Sequence, residues 1–124
     1  MAELMRLRVP TGWWLVRNEL VDASPLDPSV PRNTFSDTML YAERGVPHGR
    51  DDRFIVDVSW KPANDPSGHY KLTAVAGSWE RVLGVFVTED REALRAVLEA
   101  WLAELAVAGS PEQAKRRIEA VTPR

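Results

Sequence analysis

The run Phe54-Ile-Val-Asp-Val-Ser-Trp60 constrains this chain more than any other stretch. Phe54, Val56, Val58 and Trp60 share one parity, and Ile55, Asp57 and Ser59 share the other. Alternation with a period of two is the pattern of a β-strand with two unlike faces. The loop Lys61-Pro-Ala-Asn-Asp-Pro-Ser-Gly-His69 follows, and Tyr70, Leu72, Ala74 and Ala76 then continue the apolar face. Two strands joined by a structured loop are therefore expected here. Asp57, in mid-strand, must face solvent or a partner, because burying an unpaired carboxylate is costly.

Three more strands are expected around this pair. Residues 13–21 open with Trp13-Trp14-Leu15-Val16 after Pro10-Thr-Gly12. Their even parity, Trp14, Val16 and Leu20, reads as the inward face, interrupted by Asn18. Residues 38–43 and 82–87 read as short strands, and Gly77-Ser78 breaks the chain between the fourth and fifth. Between the first two strands, Pro25, Pro28 and Pro31 exclude regular helix or central strand, so residues 22–37 are a long irregular connection over the surface or a sheet edge.

The last third is helical. Leu94, Val97, Leu98, Trp101, Leu102 and Leu105 form one amphipathic stripe. Thr88 offers a cap, and Glu89, Asp90 and Glu92 suit the positive end of the helix dipole. Gly109 ends this helix, and Ser110-Pro-Glu-Gln113 is a capping box that starts a short second one ending near Val121. The expected fold class is α+β. A single antiparallel meander of about five strands carries one long C-terminal helix packed on a face and a short terminal helix, all in one domain over residues 1–124.

Composition narrows the function. Charge is nearly balanced, with 16 basic and 18 acidic side chains, and residues 1–62 hold eight and nine of them. A nucleic-acid binder needs a basic excess or stripe, and Lys115-Arg116-Arg117 alone, on a terminal helix, reads as a solvated face. With no cysteine, disulfide scaffolds, thiolate metal sites and cysteine nucleophiles are excluded, and a reducing cytoplasm fits. The first eight residues are too charged for a secretory signal, and no apolar window is long enough for a membrane span, so a soluble cytoplasmic protein is expected.

No catalytic pattern stands out. His48 and His69 sit in separate loops and match no metal-ligand spacing. There is no nucleophile elbow and no phosphate-binding glycine loop, so no metal or cofactor is expected. The aromatic residues point elsewhere. Five tryptophans are many for this length. Trp60, Trp101 and, by parity, Trp14 read as core. Trp13 and Trp79 are the two candidates for exposure, and exposed tryptophan beside charge is the composition of a protein-binding hot spot.

The pattern Val56-Asp57-Val58-Ser59-Trp60-Lys61-Pro62, with Asp65-Pro66, Gly68, Tyr70 and Leu72, resembles small bacterial immunity proteins of polymorphic toxin systems. Trp79-Glu80, Phe86-Val-Thr88-Glu-Asp90 and the helix through Trp101-Leu102 continue the likeness, which spans residues 53–102. Ser59 departs from the glycine expected before Trp60, and the proline-rich segment has no counterpart. In the loop, Pro62 and Pro66 supply stiffness, Asp65 a side-chain cap and Gly68 a positive φ.

The resemblance implies a non-enzymatic protein that binds and neutralises a cognate toxin domain, without cofactor. Its protein partner would meet a patch of Asp51, Asp52, Asp65, Trp79 and Glu80 on the loops 45–52 and 61–69 and the following turn. Two alternatives stay open. One is a small enzyme using a loop histidine with neighbouring carboxylates, and the other a structural or regulatory interaction protein.

Overall fold

The computed structural model describes residues 3–45 and 53–124. Five strands, β1 (Trp13–Asn18), β2 (Leu40–Arg44), β3 (Phe54–Lys61), β4 (His69–Ala76) and β5 (Val82–Thr88), precede two helices, α1 (Arg91–Val107) and α2 (Pro111–Val121). The strands form one sheet in the order β1-β2-β3-β4-β5, and every neighbouring pair is antiparallel. This is the expected α+β meander with a long and a short helix.

The inner face of the sheet carries the core. Phe54, Val56, Val58 and Trp60 from β3 and Tyr70, Leu72, Ala74 and Ala76 from β4 are buried against the α1 stripe, Leu94, Val97, Leu98, Trp101, Leu102 and Leu105. Trp101 lies above Gly84 of β5, where a Cβ would stand 2.8 Å from Ile118 Cδ1 and 3.4 Å from the Trp101 ring. The missing side chain is what lets both helices close on this strand. The Trp101 indole donates to Thr122 Oγ1 at 2.8 Å and so fastens α1 to the end of α2.

The connection 19–39 does more than cross the surface. Leu20, Ala23, Val30, Phe35 and Met39 enter the same core. The Phe35 ring meets Trp60 edge-on at 5.1 Å, and Trp60 meets Tyr70 at 4.9 Å. Prolines prevent regular structure here without preventing burial, because the apolar residues between them still gain by leaving water. The N-terminal arm lies alongside: Met5 N donates to the Leu20 carbonyl at 2.8 Å, and Arg8 N donates to Glu99 Oε2 at 2.6 Å.

Two local expectations change. The N-cap of α1 is Asp90, whose Oδ1 accepts from Glu92 N at 2.9 Å and from Ala93 N at 3.4 Å. Thr88 instead accepts from Asp90 N at 3.0 Å and shapes the approach. Ser110 caps α2 as expected, accepting from Gln113 N at 3.1 Å, while the Gln113 amide oxygen takes Gly109 N. In the 61–69 loop the positive φ belongs to Asn64, at 64°. Gly68 is needed for close approach: a Cβ there would lie 2.5 Å from the Lys61 carbonyl oxygen.

The largest correction concerns β1. Trp14, expected in the core, is 67% exposed, and Trp13 packs against the core. A bulge explains the exchange. Leu15 pairs with Ala42 but Arg17 pairs with Tyr41, so one residue is inserted at Val16. Before the bulge the inward residues are Trp13 and Leu15. After it they are Asn18, opposite Leu40, and Leu20. A single parity carried through residues 13–20 cannot describe a strand whose inward side changes parity midway.

A candidate protein-docking face

Among the described residues, no helix packs on the outer face of the sheet. Strand alternation turns Ile55, Asp57 and Ser59 of β3 to this side, opposite the core residues between them. The pairing register then defines rows across the sheet. One row runs Trp14, Glu43, Ile55, Val75 and Val82, and the next runs Arg17, Tyr41, Asp57, Thr73 and Val85. Ser59, Lys71 and Val87 make a third.

Trp79 reaches this face from the turn between β4 and β5. Gly77, with φ of 78°, opens that turn. The Trp79 ring centre is 6.5 Å from the Tyr41 ring on β2. Its turn follows β4, so the indole reaches across the outer face toward β2. Ile55 and Val75 are buried yet lie outside the main core, as residues covered from the outer side should. Trp79 itself remains 54% exposed. Trp14, Val82, Val85 and Val87 are exposed as well, so both edge strands present apolar side chains on this face.

Charges on this face are mostly paired. Arg17 meets Glu19 at 2.9 Å, Arg53 meets Glu43 at 3.2 Å, and Lys61 meets Asp37 at 2.8 Å. Tyr41 donates to Glu43 Oε1 at 3.3 Å; partial burial and the Glu43 charge push its phenol upward. Among the described residues Lys71 has no ion pair, and Asp57 is the acidic exception. Its residue is only 9% exposed, and it has no hydrogen bond or ion pair among the described residues. Loss of solvent pushes its carboxyl up to about 6, against the pull of Lys61 and Lys71 and with a further push from Asp37.

The residues expected to form one patch divide. Asp51 and Asp52 lie outside the described residues, as does His48. Trp79 and the exposed Glu80 stand at the end of the sheet where β3 begins, beside Arg53, whose carbonyl accepts from Gly77 N at 2.8 Å. Asp65 stands at the other end, because β3 and β4 pair in register from Phe54–Ala76 to Lys61–His69. That is roughly 25 Å away along an eight-residue strand. In a meander consecutive connections fall at opposite ends, so the 61–69 loop and the turn bearing Trp79 cannot share one end of the sheet.

Asp65 has a structural task. Its carboxylate accepts from Ser67 N at 2.9 Å and Ser67 Oγ at 2.7 Å, which holds it below the usual carboxylate range. Its carbonyl takes the Trp60 indole N–H at 2.6 Å. His69 pairs with Lys61 at the same end. Sequence reasoning did not gather Trp14, Tyr41, Asp57, Val85 and Val87 into a site. The signal was the second parity of β3 and β5, which places Asp57 and the two valines on the face the helix stripe does not need.

Among the described residues, no helix is long and apolar enough to cross a membrane. Compared with known families, curated proteins and solved structures, the chain finds no match.

Proposed function

We propose that this protein is a non-enzymatic binding domain that docks a protein partner on the outer face of its sheet. The specific form of this reading is an immunity protein that neutralises a cognate bacterial toxin domain in the cytoplasm, without metal or cofactor. The observation that carries it is the exposed apolar and aromatic surface from Trp14 through Trp79 to Val85 and Val87, opposite the face the helices fill. Aromatic anchors surrounded by paired charges are the composition of an interface centre with a polar rim. The near-neutral charge suits a partner held by shape and aromatic contact more than by long-range attraction. The likeness of residues 53–102 to immunity proteins supplies the toxin as partner.

The test is co-expression with the C-terminal domain of a modular toxin encoded directly upstream of this gene. The expected result is growth rescue and a complex that survives purification. A Trp14→Ala, Trp79→Ala, Val85→Ser variant should keep its fold and bind at least ~100-fold more weakly. Undiminished binding by that folded variant would remove the outer face as the interface. Failure of the wild-type protein to bind or protect would remove the toxin reading.

A further inference from the structure

Asp57 occupies the middle strand of the outer face and, among the described residues, is a carboxylate there with no ion-pair partner, although Lys61 and Lys71 attract it from a distance. Arg17, Arg53 and Lys61 are each engaged with another acid. Lys71, on the neighbouring strand and one row along, stays beyond ion-pair distance of it. Tyr41 is the cross-strand partner of Asp57, and Trp79 lies 6.5 Å from Tyr41. A nearly buried carboxylate with no ion-pair partner among the described residues therefore lies opposite Tyr41, whose ring in turn neighbours that of Trp79.

This combination selects a cation, and among protein cations it selects a guanidinium. Arginine is planar, weakly hydrated and able to stack on aromatic faces while donating to a carboxylate, whereas the lysine ammonium is a strongly hydrated point charge. Resting on the docking reading above, we propose that the partner inserts an arginine side chain at Asp57, with its guanidinium against Tyr41 and Trp79. A docked partner lacking this cation would leave Asp57 buried and unpaired, so the site gives selectivity as well as affinity. Trp79, half-exposed and neighbouring Tyr41, then supplies the stacking surface.

The test uses N-acetyl-arginine methylamide as the probe and the five tryptophan indole N–H signals as the readout. The arginine compound should shift the Trp79 signal saturably at millimolar concentration and leave the buried Trp101 signal in place. The neutral citrulline analogue should not shift it. In Asp57→Asn the arginine effect should fall at least ~10-fold, and Trp79→Leu should abolish binding detected through the Asp57 and Tyr41 backbone signals. A silent Trp79, an equal response to citrulline, or an undiminished response in Asp57→Asn would overturn the arginine site. This titration needs no toxin domain, so a failure of the toxin reading is told apart from a failure of the site. With a toxin domain that binds the wild-type protein, Asp57→Asn should weaken the complex ~100-fold, and unchanged affinity would again overturn the site.

Discussion

The Trp13 indole donates its N–H to the carbonyl of Leu102, 89 residues further on, at 3.0 Å. This bond joins the first strand to the fourth turn of α1, and it uses the tryptophan that lies next to an outward one. The pair gives a direct contrast. Trp13→Ala removes packing against the core and the extra indole hydrogen bond to a helix carbonyl, and should cost about 2–3 kcal/mol in a urea melt. Trp14→Ala should change stability by no more than about 0.5 kcal/mol. The reverse ranking would mean that the first strand is turned over.

How far the sequence could be read depended on whether local pattern or pairing decided the matter. The two faces of β3, the α1 stripe, the Ser110 cap and the burial of Trp60 and Trp101 follow from periodicity and cap chemistry, and they are found where those rules place them. The Trp13/Trp14 exchange depends on a bulge at Val16, which exists only in the pairing of β1 with β2. The docking face depends on register in the same way. Nothing between residues 41 and 79 of the sequence says that Tyr41 stands opposite Asp57 and beside Trp79; the meander does that by its pairing of β2, β3 and β4. The burial of Phe35 and Val30 was hidden by the prolines around them, which signal irregular backbone and say nothing about depth.

Trp101 joins three elements, since it packs over Gly84 and bonds to Thr122. Trp101→Ala should cost about 3–5 kcal/mol. Thr122→Val keeps the volume but removes the acceptor, and should cost about 1 kcal/mol. Denaturant melts of the two variants and the double variant measure both. A loss below about 1 kcal/mol for Trp101→Ala would contradict its place between helices and sheet.

The opposite ends of the sheet should separate under mutation. Asp65→Ala loses two bonds from Ser67 and loosens the support under the Trp60 indole. It should lower the melting temperature and leave affinity for a docked partner within a factor of about two. Trp79→Ala should behave in the opposite sense, with weaker docking by at least ~10-fold and a smaller thermal shift. Calorimetric titration with the partner and a thermal scan of each variant decide it. Equal losses of affinity would return the 61–69 loop to the interface.

Asp57 should make its mark in the pH dependence of stability. Its carboxyl titrates near 3.8 in an unfolded chain and is pushed up to about 6 in the folded one. Between those values the folded protein retains a proton that the unfolded chain has released. The contribution is therefore fully stabilising below about pH 4 and is lost as pH rises through about 6. Asp27 and Asp65, held low by their Ser29 and Ser67 bonds, work in the other direction and lose their contribution as pH falls. Whole-protein melts mix these effects, but Asp57→Asn isolates one of them. At pH 7.5 this variant should be more stable than the wild-type protein by on the order of 1–2 kcal/mol, after discounting for solvent screening. The advantage should shrink toward zero near pH 4, where Asp57 is itself neutral. Greater stability with weaker binding is the signature of a group kept for a partner at the expense of the free fold. An Asp57→Asn variant less stable than wild type at pH 7.5 would show instead that the carboxylate already has its cation, with Lys61 and Lys71 the candidate sources.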